Sequence, residues 1–307
     1  MQTTTVNNLL KTDGSISGAV IKTTVSFEIK TFGMIVFPVA KINIGLYVTE
    51  NRKDGFHNIE TVFFPVPFCD ALEFAESDDQ TQPDSLVVTG IEHIGNPEDN
   101  LVIKAVKKLR RKKNFPSLKL HLHKAIPLGA GLGGGSSDAA FALNGINRLY
   151  NLKLNNEELK AIALETGSDC PFFIDAMPAY ASGRGEEFKT IKADILNRHY
   201  LVLANPGKGV NTREAYMNCR PAPAPVSLAL VIEDTPISQW KNIIKNDFDE
   251  YAFKEVPLIA KLIEEMYGAG ALFSLMSGSG STVYGIFKSK PLLSEPLKKY
   301  LIWQGVI

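Results

Sequence analysis

The stretch PLGAGLGGGSSDAA, residues 127–140, decides the fold of this 307-residue chain, because an ordinary turn rarely combines so many glycines with two serines. Glycine enters positive φ without a clash at Cβ and lets the main chain approach a ligand closely. The loop N–H groups then lie beside the positive end of the following helix, an arrangement that binds anions, usually phosphate. The residues predicted to hold the phosphates are Pro127, Leu128, Gly129, Ala130, Gly131, Leu132, Gly133, Gly134, Gly135, Ser136 and Ser137.

The segments on either side of the loop indicate its place in the fold. LKLHLHKAI, residues 118–126, alternates strictly with leucines on one face, which predicts a strand. The apolar run after the loop predicts a helix from Ser137 to about Tyr150, and the alternative role of Ser136 or Ser137 is to cap it. Further strand patterns lie at 34–50, 59–66, 71–77 and 85–90, and helical patterns at 101–113 and 156–166. Because strands and helices are interspersed, the sequence favours an α+β fold over a doubly wound parallel sheet.

The loop does not satisfy the two common nucleotide-binding patterns. Gly129-x-Gly131-x-x-Gly134 matches the bare dinucleotide fingerprint, but the acidic candidates downstream, Glu157 and Glu158, open a helix instead of ending a strand. A Walker A loop would require Gly-Lys-Ser/Thr, which is missing. A dinucleotide-dependent oxidoreductase is therefore the weaker alternative, and nicotinamide binding would test it.

Composition excludes several classes of protein. The chain has 33 basic and 33 acidic residues and zero formal net charge, whereas nucleic-acid binders usually carry a basic surplus. Cys69, Cys170 and Cys219 are widely spaced and odd in number, which argues against disulfides and zinc and is typical of the cytoplasm. No apolar run approaches the ~20 residues that cross a bilayer. His121 and His123 share a strand face without an evident third ligand, so we expect a solvated face there and not a metal site. Ser136 and Ser137 could hydrogen-bond phosphate or hold Mg²⁺ through a hydroxyl or a water.

Three side chains outside the loop are candidates for chemistry, each with a structural alternative. Lys41 interrupts an apolar run, so it is either a cation aimed at a carboxylate or phosphoryl group, or a lysine that reaches solvent. Asp169 precedes Pro171, and this pattern by itself favours a helix cap over a role in chemistry. His57 follows Phe56, and the pair could stack on and hydrogen-bond a base or be ordinary loop residues.

The N-terminal residues 1–33 differ from the rest of the chain. They are rich in Thr, Ser, Val and Lys with weak periodicity, whereas Met34 opens a strong strand pattern. We expect residues 1–33 to be a leader without catalytic function, with a targeting peptide as the alternative.

Three segments together resemble the motifs of the GHMP kinase superfamily and occur in the family's order. They are PVAKINIGL at 38–46, PLGAGLGGGSSDAA at 127–140 and MSGSGSTVYG at 276–285. DGFH at 54–57 and GSDCPFF at 167–173 resemble the members that phosphorylate a cytidylylated methylerythritol.

The resemblance covers residues 34–287 and implies a two-domain α+β fold with the active site in the cleft. The N-terminal kinase domain would occupy residues 34–180 and a ferredoxin-like C-terminal domain residues 181–307. It implies that ATP, with Mg²⁺, phosphorylates the 2-hydroxyl of the cytidylylated small molecule, in the non-mevalonate route to isoprenoids. It further implies a cytoplasmic monomer or homodimer without nucleic-acid or membrane partners.

The same resemblance implies roles for particular residues. Asp169 would be the catalytic base and Lys41 would lie beside it. Asn43, Phe56, His57 and Asp169 would bind the substrate, with His57 at the cytosine and Phe56, where tyrosine is common, stacked on it. ATP would bind along the glycine loop.

Two alternatives within this fold stay open. Another GHMP kinase, acting on a mevalonate-type or sugar substrate, would not need Phe56 and His57. A non-catalytic nucleotide-binding protein would not need both Lys41 and Asp169, so their joint presence weighs against it. Asp138 stands where many relatives have asparagine, and the sequence assigns it no role.

Overall fold

The computed structural model describes residues 33–91 and 97–307, so the predicted leader lies outside the described residues apart from Gly33. The strands are β1 (Gly33–Val36), β2 (Val39–Asn51), β3 (His57–Cys69), β4 (Ala71–Glu76), β5 (Ser85–Gly90), β6 (Leu118–Lys124), β7 (Ala179–Ser182), β8 (Glu187–Thr190), β9 (Tyr200–Ala204), β10 (Phe273–Met276), β11 (Val283–Phe287) and β12 (Leu301–Val306). The α-helices are α1 (Leu101–Arg110), α2 (Gly134–Leu149), α3 (Asn156–Leu164), α4 (Phe172–Asp175), α5 (Thr212–Asn218), α6 (Leu228–Asp234), α7 (Asp249–Glu255), α8 (Leu258–Gly268) and α9 (Glu295–Tyr300).

Three sheets organise the part of the chain that the structure describes. Their spatial orders are β1–β4–β6–β5, β2–β3–β7–β8 and β10–β11–β9–β12. Only β5 and β6 run parallel among these neighbours, and every other pair is antiparallel. The third sheet and its crossing helices have the strand order of a ferredoxin-like βαββαβ unit. The α+β fold expected from the sequence is confirmed.

The first long strand pattern divides where the sequence indicates. Pro38 separates β1 from β2, because proline has no N–H to donate to a ladder. Residues 40–48 of β2 are buried without interruption, so this strand is covered on both faces. Lys41 and Asn43 therefore lie in the interior of the protein and not on a solvated strand face.

Apolar packing fixes the helix that follows the glycine loop. Leu118, Leu120 and Leu122 of β6 point inward and pack in one cluster with the buried faces of α1 and α2. Burying each such leucine contributes about 1.5–3 kcal/mol, an upper estimate because unfolded chains already bury some surface. Helix α1 begins where Asn100 caps it by accepting from Val102 N at 2.9 Å.

The start of α2 differs from the prediction. The helix begins at Gly134, three residues before the expected Ser137, and its N-cap is Gly133 in the left-handed region without a side-chain cap. Neither Ser136 nor Ser137 caps the helix. The reason is that the chain reaches the helix through a left-handed glycine, which leaves the first N–H groups without a side-chain acceptor.

Candidate active site

The glycine loop between β6 and α2 alternates left-handed glycines with buried side chains. Gly129, Gly131 and Gly133 have φ of +59°, +79° and +69°, a region that costs other residues free energy. A Cβ added to Gly131 would lie 2.0 Å from the carbonyl oxygen of Ser277, so the loop also needs glycine for close backbone contact. Between them, Ala130 and Leu132 are buried. These residues can offer a ligand only their backbone.

The N-terminus of α2 supplies the electrostatic part of the loop. Because Gly133 caps without a side chain, the first N–H groups of a 16-residue helix remain available for an anion. Ser137 is fully buried and its hydroxyl has no partner among the described residues. Leu128 stays partly exposed at the outer end of the loop.

The third glycine-rich motif holds the loop in place. The hydroxyl of Ser277 donates to the carbonyl of Gly131 at 2.8 Å and accepts from the backbone N–H of Asn43 at 3.1 Å. The backbone N–H of Thr282 donates to the carbonyl of Ala130 at 3.2 Å. The three motifs, which are far apart in sequence, therefore meet at one place.

Lys41 and Asp169 face each other beside this loop. The Lys41 Nζ lies 3.8 Å from Asp169 Oδ2, donates to the Gly131 carbonyl at 3.1 Å and contacts the Asn43 side-chain oxygen. Burial lowers the pKa of Lys41, and the carboxylate of Asp169 opposes that shift. The Asp169 side chain is 37% exposed, so it can meet a ligand. Asp169 caps no helix, since α4 has Pro171 as its N-cap residue without a side-chain bond.

A cleft of about 210 Å³ opens over this pair. Its lining includes Lys41, Asn43, Asp169, Arg184, Thr212 and Tyr216. Hydroxyls of Thr212 and Ser279 lie 2.8 Å apart at its edge. The segment ASGRGE, residues 181–186, also resembles the family, but no role was assigned to Arg184 from the sequence, and Tyr216 was not singled out. Arg184 occurs in a glycine turn and Tyr216 in a short helix, and neither pattern by itself points to a ligand.

Phe56 and His57 are not in the lining of the cleft, and each contacts one of these two lining residues instead. The His57 ring stacks on Tyr216, with centroids 4.7 Å apart and planes 20° apart. The guanidinium of Arg184 lies 4.9 Å from the centroid of the Phe56 ring, which remains 53% exposed. Aromatic surface therefore continues from the cleft to an open side.

A buried ion cluster beneath the loop was missed by the sequence analysis. Lys124 Nζ lies 2.7 Å from Asp138 Oδ2 and also contacts Asp70, and all three side chains are buried. Burial raises the pKa of Asp138 to about 7, while Lys124 opposes the shift. The signal was available: Lys124 continues the apolar register of Leu118, Leu120 and Leu122. A lysine in that register must find a buried partner.

The donor set of the cleft fits a phosphate-bound magnesium ion. Mg²⁺ prefers oxygen ligands and is often held by one or two carboxylates together with substrate phosphates. Asp169 supplies one accessible carboxylate next to the anion-binding loop. Among the described residues, no group of three or more His, Cys, Asp and Glu side chains could hold a metal by itself. Nor does any helix in the described ranges have the length and apolarity to span a membrane.

The loop, the lysine–aspartate pair and the ferredoxin-like sheet define the class as that of GHMP kinases. The model of the GHMP kinases N terminal domain matches residues 100–183, and that of the GHMP kinases C terminal matches residues 232–295. Relatives named 4-diphosphocytidyl-2-C-methyl-D-erythritol kinase match most of the chain. The relative from Parabacteroides distasonis is 44% identical over 274 residues, which are 89% of this chain and 99% of the relative. The relative from Porphyromonas gingivalis is 43% identical over 275 residues, 89% of this chain and all of the relative.

The chain therefore belongs to the GHMP kinase family, in the branch of the 4-diphosphocytidyl-2-C-methyl-D-erythritol kinases, ATP-dependent enzymes that act on a small molecule. A solved structure of 4-(cytidine 5'-diphospho)-2C-methyl-D-erythritol kinase superposes with a TM-score of 0.68 at 31% identity, over 82% of this chain and 90% of that one. A homoserine kinase from Cytophaga hutchinsonii shares the fold, with a TM-score of 0.63 at 17% identity over 87% of each chain.

Proposed function

We propose that this chain transfers the γ-phosphoryl group of ATP to the 2-hydroxyl of 4-diphosphocytidyl-2-C-methyl-D-erythritol, giving the 2-phosphate and ADP. The observation that carries the proposal is the 3.8 Å separation of Lys41 Nζ and Asp169 Oδ2 directly beside the glycine loop. The relatives that carry this activity in their names match nearly the whole of their own length. The product would enter the non-mevalonate route to isoprenoid precursors.

The residues divide the reaction among them. Phosphoryl transfer passes through a loose transition state, so positioning and electrostatics provide most of the catalysis. The loop N–H groups and the start of α2 would hold the ATP phosphates. The substrate hydroxyl oxygen forms the new bond to the γ-phosphorus as the bond to the ADP oxygen breaks, and Asp169 accepts the hydroxyl proton.

Lys41 has a separate role in the proposed reaction. Its ammonium lies in the interior, where a charge interacts strongly with its neighbours. It would orient the Asp169 carboxylate and draw negative charge from the attacking oxygen. Asn43 fixes the direction of the Lys41 side chain through their direct contact.

The cytidine end of the substrate would lie at the aromatic side of the cleft. His57 offers ring nitrogens to the cytosine, and its stack on Tyr216 fixes the plane of the ring. Phe56 offers an exposed ring face, although it lacks the hydroxyl of tyrosine. Asn43 and Asp169 would contact the methylerythritol end.

The remaining assignments belong to the same proposal. Mg²⁺, bound to ATP, would neutralise phosphate charge, with Asp169 as the accessible carboxylate. The kinase domain would occupy residues 34–180 and the C-terminal domain residues 181–307, with β7 and β8 continuing the sheet of β2 and β3 across that boundary. We place the enzyme in the cytoplasm as a monomer or homodimer.

The test is ADP production by the purified chain. We expect ADP and the 2-phosphate to form from the cytidylylated methylerythritol with ATP and Mg²⁺, and no ADP above background with mevalonate or galactose. Phosphorylation of mevalonate or galactose in preference would assign the chain to another substrate. ATP binding without ADP release for any alcohol would contradict catalysis.

A further inference from the structure

Arg184 is a cationic side chain of the cleft, and the proposed reaction gives it no role. It lies in the turn between β7 and β8, and the carbonyl of Gly183 accepts from the backbone N–H of Ile59 at 2.7 Å. This bond ties the turn to the start of β3, next to Phe56 and His57. The side chain lines the same cleft as Lys41 and Asp169.

The guanidinium is held on one side and open on the other. Its Nε donates to Glu186 Oε1 at 3.0 Å, and Glu186 also contacts the Arg184 backbone N–H. Its Cζ lies over the Phe56 ring, 4.9 Å from the ring centroid. Within residues 33–91 and 97–307, neither terminal nitrogen, Nη1 or Nη2, has a hydrogen-bond partner. Two donors are thus fixed in direction by an anchor and a stack, and they remain available to an anion.

The other cation of the cleft is already engaged. Lys41 is buried and contacts Asn43, the Gly131 carbonyl and Asp169. Lys41 and Arg184 are the two cationic side chains in the lining of the cleft that the described residues form. An anionic group bound between the aromatic end and the Lys41–Asp169 pair would therefore meet Arg184.

We infer that Arg184 is the specificity-determining residue that binds the diphosphate of a nucleoside diphosphate-linked substrate, and that Phe56 and Glu186 orient it for this purpose. Guanidinium groups match phosphate oxygens in a two-point geometry that lysine does not reproduce. The inference rests on the proposed function for the class of substrate. Beyond that function, the chain would recognise the diphosphate of its substrate through Arg184 as well as the cytosine through His57.

Equilibrium binding of cytidine and CDP tests the inference without catalysis. Both ligands are titrated by calorimetry into the wild-type chain and into Arg184→Gln, with a non-hydrolysable ATP analogue saturating the glycine loop. We expect the wild type to bind CDP roughly 10- to 100-fold more tightly than cytidine, the range for losing one charge-assisted hydrogen-bonded contact. In Arg184→Gln the ratio of the two dissociation constants should fall to within about threefold of one.

Two further variants sharpen the test. Arg184→Lys keeps the charge and loses the planar fork, so its ratio should lie between those of the wild type and Arg184→Gln. Arg220→Gln is the matched control, because Arg220 is exposed and lines a neighbouring pocket instead of the cleft. Its ratio should equal that of the wild type. Thermal unfolding of each variant confirms that it is folded.

Three results would overturn the inference. Arg184→Gln could keep the preference for CDP, the wild type could show none, or the substitution could weaken cytidine and CDP equally, which would leave Arg184 only a role in supporting Phe56. Wild-type turnover of the cytidylylated methylerythritol is measured in parallel. If the wild type shows no turnover but prefers CDP in a way that depends on Arg184, the proposed function alone is contradicted. If it shows turnover but its preference for CDP does not depend on Arg184, this inference alone is contradicted.

Discussion

Replacing Gly133 by alanine should reduce both stability and turnover, and Gly129→Ala provides the matched control. Both glycines are left-handed, with φ of +69° and +59°. A Cβ at Gly133 would lie 2.8 Å from Phe173 Cζ and 3.2 Å from Lys41 Cε, whereas one at Gly129 meets nothing within 4 Å. Phe173 is fully buried, so its ring has no free space to enter. The two variants therefore share the backbone strain and differ in the overlap.

The magnitudes follow from these two contributions. Left-handed backbone costs alanine about 1–2 kcal/mol, which is the loss in free energy of unfolding expected for Gly129→Ala. Overpacking adds about 1–3 kcal/mol, so Gly133→Ala should lose about 2–5 kcal/mol in total. Because the new methyl group also pushes on Lys41, kcat should be about 100-fold lower in Gly133→Ala than in Gly129→Ala.

Urea unfolding and ADP release measure the two effects separately. The loss in free energy of unfolding in Gly129→Ala measures the backbone strain, and the additional loss in Gly133→Ala measures the overlap. The difference in turnover between the two variants at saturating ATP reports the effect of displacing Lys41. Equal unfolding midpoints for the two variants, together with kcat values within threefold, would refute the packing argument. Lower stability of Gly133→Ala with unchanged kcat would show that Lys41 does not need its present position.

Three other substitutions have defined outcomes. Asp169→Asn should lower kcat by about 10²- to 10⁴-fold while the affinity for ATP changes little, as measured by ADP release and ATP titration. Near-normal turnover would show that Asp169 is not the catalytic base. His57→Ala should raise KM for the cytidylylated substrate more than it lowers kcat, and an unchanged KM would exclude contact with cytosine. Burial raises the folded-state pKa of Asp138 to about 7, above its unfolded value, so the folded protein retains a proton that the unfolded chain has released. Stability from this group is therefore complete below about pH 4 and is lost as pH rises towards 7. Asp138→Asn should flatten the fall in free energy of unfolding between pH 4 and 7 by up to about 1.4 kcal/mol per pH unit; urea unfolding at pH 5 and pH 8 checks this, and an unaltered slope would contradict it.

Local features of the fold were predictable because they depend on neighbours in sequence. Strict alternation in residues 118–124 gave β6, and Pro38 marked the break between β1 and β2. Asn155 caps α3 with a capping box that includes Glu158, a pattern that depends only on residues three positions apart. The start of α2 was misplaced because a left-handed glycine replaces the side-chain cap that the sequence rule expects.

The site was only partly predictable, since its chemistry depends on contacts between distant segments. From the residues alone, Lys41 had a solvated alternative and Asp169 a capping alternative. The burial of β2 excludes a solvated Lys41, and the N-cap of α4, which is Pro171, excludes a capping role for Asp169. Arg184 lies in residues 181–186, which resemble the family, but no role was assigned to it because a turn with glycines on both sides usually carries an exposed charge. The cluster of Lys124 with Asp70 and Asp138 depends on a pairing across three segments that periodicity does not describe.

The glycine loop acts as a rigid element, although its composition is typical of flexible segments. The Gly131 carbonyl accepts from both Lys41 Nζ and the Ser277 hydroxyl, and Ala130 and Leu132 anchor the loop in the core. Glycine is required because left-handed backbone and contact with Ser277 leave no room for a Cβ. Donors that are fixed before the ligand arrives need no reorganisation during phosphoryl transfer, which is the main source of electrostatic catalysis. The same bonds that direct the loop also position Lys41, so the proposed phosphate binding and the orientation of Lys41 towards Asp169 depend on one hydrogen-bonded unit.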